Sequence, residues 1–230
     1  MQPSFGRIIV DALGVLMFRR PSAAISEYWP SYLAFGLFFT GLAGIGRYWD
    51  NPRAEWWQQL GLGSIAYVFV LALLLWFVVA PLRPKRWSYQ SVLVFLTLTA
   101  PPAVLYAIPV ERFLPLSDAQ AANAWFLFVV AAWRVALLVW FLRSAAGLSG
   151  GAVGVATLLP LTLIIVALGV LNLEHVVFEI MSGNRGAASG NDMAYGVVFL
   201  LTSLSLIAAP FLFIAYVVLV FRAYRREGES

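Results

Sequence analysis

The chain has 230 residues, 62% of them hydrophobic and 11% charged, with a formal net charge of +4 and a mean hydropathy of +0.85. A soluble domain is nearer half apolar and a quarter charged, and one of this length has too little interior to hide so much apolar surface. Having no cysteine excludes disulfides, thiol catalysis and thiolate metal sites, and having one histidine excludes any site that needs two imidazoles from the chain. The composition predicts an all-α fold, a polytopic transmembrane helix bundle.

Taken in chain order, the first element is an N-terminal helix. Phe5, Ile8, Ile9, Leu13, Leu16 and Met17 recur at helical spacing, while Arg7, Asp11 and Gly14 fall elsewhere. The stretch is too short to span and reads as an amphipathic helix lying in the cytoplasmic interface. No small-residue cleavage site follows Arg19-Arg20-Pro21, so a signal peptide is not expected. Crossing about 30 Å of hydrocarbon takes roughly 17–25 mostly apolar residues, and about six such stretches follow. They run near Tyr32 to Gly46, Gly61 to Leu82, Tyr89 to Ile108, Ala122 to Leu142, Ala152 to Leu173 and Ala194 to Phe221. The division expected is an interfacial helix and elbow over 1–30, a transmembrane helix bundle over 31–222 and a charged, disordered cytoplasmic tail over 223–230. Gly41, Gly44 and Gly46 in the first span, with Gly61 and Gly63 opening the second, predict close helix approach. The polar insert from Ser182 to Asp192 reads as a flexible loop.

Orientation follows from the basic residues between spans, which favour the cytoplasmic side. With the N-terminus inside, that side holds Arg7, Arg19, Arg20, Arg83, Lys85, Arg86, Arg143, Arg222, Arg225 and Arg226. The far side holds only Arg47, Arg53, Arg112 and Arg185. Both termini are therefore expected in the cytoplasm, in agreement with an even number of spans, and the expected host is a bacterial inner membrane.

Arg134 falls inside the fourth span, where a charge costs on the order of 2.5–3.5 kcal/mol by insertion scales and must find a partner or a wet cavity. None of the six stretches contains Asp or Glu, so hydroxyls and proline-freed carbonyls are its candidate partners. Pro101 and Pro102 break the third span and free the carbonyls of Thr97 and Leu98. Thr97, Thr99, Thr162, Ser203 and Ser205 lie at similar depth, which defines a candidate intramembrane polar site. It could attract an anion or gate a pore, or Arg134 could simply cap kinked helices. A weaker outer candidate is Glu174, His175 and Glu179, with His175 and Glu179 one helical turn apart. These three match no specific metal signature and read more readily as interfacial polar residues pairing with one another and with water. Gly147-Leu148-Ser149-Gly150 resembles the nucleophile string of rhomboid proteases, but His175 would lie roughly 39 Å along a helix from Ser149, out of reach as a base.

Three further places carry a broader likeness: Leu16-Met17-Phe18-Arg19-Arg20-Pro21, Leu98-Thr99-Ala100-Pro101-Pro102, and Trp133 to Leu142 followed by Gly147-Leu148-Ser149. Together they resemble bacterial members of the Yip family. Those are small multi-span proteins, usually of five spans, whose eukaryotic relatives bind Rab GTPases and other membrane-traffic factors. The resemblance extends loosely over most of the chain and brings no catalytic residues. It implies a scaffold, adaptor or membrane-organising role.

The first expectation is thus a non-enzymatic membrane protein that organises lipid or partner proteins. The alternative is a small transporter or channel with a polar cavity around Arg134 and proline-broken helices. An enzyme comes third, because no nucleophile–base pair or metal set can be assembled from the sequence. No cofactor and no nucleic acid is expected. The expected partners are membrane lipids, with anionic headgroups at the basic cytoplasmic clusters, and other proteins or further copies of the chain.

Overall fold

A computed structural model describes residues 3–49, 54–170 and 192–228. Every regular element among them is helical. The chain begins with α1 (Phe5–Leu16), opened by Ser4, whose hydroxyl oxygen accepts from the Arg7 N–H. It closes on a reverse turn in which the Arg19 N–H reaches the Gly14 carbonyl at 2.8 Å while Phe18 takes a left-handed φ of 57°. Ile8, Ala12, Val15 and Leu16 are buried against the bundle, whereas Phe5, Val10, Leu13 and Met17 point outward. The apolar set read from the sequence is therefore divided between two faces of α1, one packed on protein and one turned away from it.

A short α2 (Ala23–Glu27) leads into α3 (Trp29–Tyr48), with Pro30 in its first turn, where an N–H would be unpaired anyway. Next come α4 (Trp56–Gln59) and α5 (Leu62–Val79), the latter prolonged by a 3₁₀ turn, Ala80–Leu82. Then α6 (Tyr89–Leu98) bends by 44° into the 3₁₀ segment Pro101–Ala107. The long helices α7 (Leu116–Ser144), α8 (Gly150–Val170) and α9 (Asp192–Gly228) follow.

Four helices among the described residues are long and apolar enough to cross a membrane, and five if the bent α6 pair is one span. The four cover Leu62–Leu82, Ser117–Ser144, Gly150–Leu168 and Leu200–Arg225. The first span expected from hydropathy does form a helix, α3, of 20 residues. Its glycines, Tyr and Trp keep it below the apolarity of the other four. They serve instead a tight seam. A Cβ on Gly36 would lie 2.5 Å from the Thr97 side chain, and one on Gly44 would lie 2.8 Å from Gly61 Cα. Gly61 itself caps α5 at φ 69°, a conformation that suits glycine.

Large apolar side chains cover the outside. Only 6% of the Leu200–Arg225 window is buried, and Ile207, Phe211, Phe213 and Phe221 stand outward from α9. Helices this apolar on their outer faces need hydrocarbon around them. The chain is a membrane-embedded helical protein. One expectation is corrected here: the charged C-terminal tail is helical as far as the described residues go, because α9 continues to Gly228 and Arg83 stacks 4.4 Å above the Tyr224 ring.

Candidate functional site

The loops rich in arginine and lysine meet at one end of the bundle. The Lys85 N–H donates to the Ala146 carbonyl at 2.9 Å, which ties the α5–α6 loop to the α7–α8 turn. The Trp87 indole N–H donates to the Trp76 carbonyl at 3.2 Å, and its ring lies 6.0 Å from Phe141. Phe18, just beyond α1, meets Trp140 edge-on at 6.2 Å. The Trp133 indole N–H also reaches α1, donating to the Leu16 carbonyl at 3.0 Å. The end of α1 is thereby seated on α7.

These contacts enclose a partly open cavity of about 420 Å³. Its polar lining includes Arg20 and Arg86 together with Ser26, Ser88, Ser91 and Ser144. Its apolar part is formed by Val15, Ile25, Val94, Phe95, Leu98 and Phe141. No carboxylate is among the lining residues. From Ser88 to Leu98 the wall follows α6, a rise of about 15 Å. Phe95 and Phe141 stiffen the deep part, their rings stacked at 4.1 Å with 5° between planes.

The local sequence explains the polar rim. Ser88 and Ser91 cap α6 reciprocally: the Ser91 N–H donates to Ser88 Oγ at 3.1 Å, and the Ser88 N–H donates to Ser91 Oγ at 3.3 Å. Just before this box, Arg86 adopts a left-handed φ of 48°. The flanking anchors at Lys85 and Trp87 hold it there. Guanidinium groups beside hydroxyls suit an anionic headgroup, and the wall along α6 suits an apolar tail.

The intramembrane set predicted around Arg134 is spread more widely. Arg134 is half-buried on α7 and engaged in a contact. Thr97 and Thr99 are buried on α6 and its cap, and their hydroxyls are used locally. Thr97 donates to the Val94 carbonyl at 2.9 Å and Thr99 to the Leu96 carbonyl at 2.7 Å. The Thr97 carbonyl that Pro101 would free accepts instead from the Ala100 N–H at 3.0 Å. Pro101 and Pro102 are half-buried at the bend. Thr162 is buried on α8, and Ser203 is half-buried on α9, which packs mainly against α8. These residues are distributed over α6 and its bend, α7, α8 and α9. Glu174, His175 and Glu179 lie outside the described residues. Ser149 is an exposed residue at the start of α8, in the turn made by Gly147 at φ 67°.

Sequence reasoning recognised Arg20 and Arg86 as members of basic clusters but did not bring them together. The available signal was Ser88-x-x-Ser91, two residues after Arg86 and directly before an apolar run. No family model, curated protein or solved structure matches the chain, so its function has to be read from the site itself.

Proposed function

We propose that the chain is a non-enzymatic integral membrane protein that organises lipid or partner proteins at the cytoplasmic face, a scaffold or adaptor of the Yip-like kind. The cavity at the basic end carries this reading, because it offers a charged rim and an apolar wall where lipid headgroups meet the bundle. In the arrangement we infer, α3 and the bent α6 pair join the four strongly apolar helices as six spans. Both termini lie in the cytoplasm of a bacterial cell, and the chain sits in the inner membrane. The outward residues Phe5, Val10, Leu13 and Met17 support placing α1 in the interface with that face in lipid.

The 44° break between Tyr89–Leu98 and Pro101–Ala107 favours a second reading, a small transporter or channel. The local use of the Thr97 and Thr99 hydroxyls counts against a wet pathway at that break. Reconstituted liposomes separate the two. The scaffold reading expects no anion flux above protein-free vesicles, with Arg134→Ala behaving like wild type. It also expects anionic lipid to remain bound through purification, seen by native mass spectrometry. Anion flux that disappears in Arg134→Ala would replace it with transport.

A further inference from the structure

We propose that the cavity at the basic end binds a phosphate-bearing amphiphile, with the phosphate between Arg20 and Arg86 and one apolar chain lying along α6. This rests on the lipid-organising reading and names the chemistry of its ligand.

The first support is the ordering of the wall. Ser88 and Ser91 stand at the start of α6, and Val94, Phe95 and Leu98 follow at successively greater depth. A ligand lying against this wall meets about 15 Å in all, polar over the first turn and apolar over the last, about 6 Å from Val94 to Leu98. The whole length exceeds a free headgroup and leaves the deep end for the start of a hydrocarbon chain. The second support is charge. Two guanidinium groups and no carboxylate line the cavity, so the lining leaves a positive balance for an anion to neutralise. Guanidinium forks match the oxygens of a phosphate. The Ser91 and Ser144 hydroxyls already donate to the Ser88 and Trp140 carbonyls, at 2.8 and 2.6 Å, which leaves Ser26 and Ser88 to add donors without adding charge.

The third support is Arg86 itself. Its φ of 48° is left-handed, where glycine is free of strain and a side chain is not. The chain keeps an arginine there, pinned on one side by the Lys85–Ala146 hydrogen bond and on the other by the Trp87 indole. A guanidinium at the cavity rim is what glycine could not supply. Removing the side chain should therefore affect ligand binding without harming the backbone.

The test uses the full chain in detergent micelles, with titration calorimetry and thermal melts side by side. The probe is oleoyl lysophosphatidate, a single-chain phosphate monoester. The comparison ligands are oleoyl lysophosphatidylcholine, oleate and inorganic phosphate. The expected result is saturable lysophosphatidate binding, at least tenfold tighter than any of the three. Arg86→Gly should weaken it at least tenfold while the melting temperature stays the same or rises, and Arg20→Gln should weaken it with the fold intact. Equal binding of lysophosphatidylcholine or oleate would overturn the phosphate assignment. Inorganic phosphate binding as tightly would overturn the chain and identify a soluble anion as the ligand. Unchanged affinity in the Arg20→Gln/Arg86→Gly double variant would overturn the site. If co-purifying anionic lipid persists through any of these failures, only the ligand assignment falls. If it is absent and anion flux is present, the lipid-organising reading falls with it.

Discussion

Asp11 holds α1 to the bundle through two partners. The Tyr32 hydroxyl donates to its carboxylate at 2.5 Å, and Arg7, one turn earlier, approaches to 3.8 Å. Tyr32 is fully buried and the Asp11 side chain is 16% exposed, whereas Arg7 is 62% exposed. The exposed ion pair is worth little, and the buried hydroxyl carries most of the interaction. Tyr32→Phe leaves Asp11 without its best donor and should cost about 1.5–3 kcal/mol. A melt in detergent should show the loss, and Arg7→Ala should change stability far less. Equal losses in the two variants would mean that the surface pair, not the phenol, seats α1. At the same scale, Thr97 and Thr99 spend their hydroxyl hydrogens on the Val94 and Leu96 carbonyls, so each keeps lone pairs that can accept but no hydrogen to give.

At the scale of elements, the seam between α3 and its neighbours decides how the bundle closes. Membrane helices gain little from apolar burial, since lipid is as apolar as protein, and depend on close packing. Gly36 lets α3 press against the backbone and side chain of Thr97, and Gly46 does the same against Ala107. Gly36→Ala would set a methyl 2.8 Å from the Thr97 carbonyl carbon, which cannot yield as a flexible side chain can. Overpacking of this kind costs about 1–3 kcal/mol. Gly6 on α1 has nothing within 4 Å, so Gly6→Ala is the matched control and should lose no stability. Comparable losses in both, by thermal melt, would show that glycine is needed for backbone freedom and not for approach. The break after α6 belongs to the same scale. Pro101 and Pro102 remove two N–H donors, and the Ala100 and Ala103 N–H groups then close tight turns on Thr97 and Ala100.

At the scale of the molecule, the basic loops converge on one end, while Arg112 stacks 4.8 Å over Trp49 at the other. A chain with no cysteine makes this easy to test, because each introduced thiol is unique. Ser4→Cys and Ser149→Cys should react with an impermeant maleimide from the cytoplasmic side, and Glu55→Cys only from the opposite side. Labelling of Ser4→Cys and Ser149→Cys from different faces would end the proposed topology. So would a folded monomer in plain buffer, since the outward apolar residues of α9 have no place in water.

Composition and local pattern were enough to read the helical class, the membrane environment and the approximate helix positions, because these depend on neighbours in the chain. The glycines of α3 and the break at Pro101 were legible for the same reason. Three things depended on segments far apart in sequence. The apolar residues of α1 look like one face until Tyr32 and Trp133 show which of them turn inward. Arg134 and the threonines at its depth stand on different helices, and only packing decides which of them meet. Arg20 and Arg86 look like separate orientation signals until the turn at Ala146 brings α6 and α7 together around one cavity. Periodicity reports what a residue's own helix can do, whereas the partner across a gap is chosen only when helices pack.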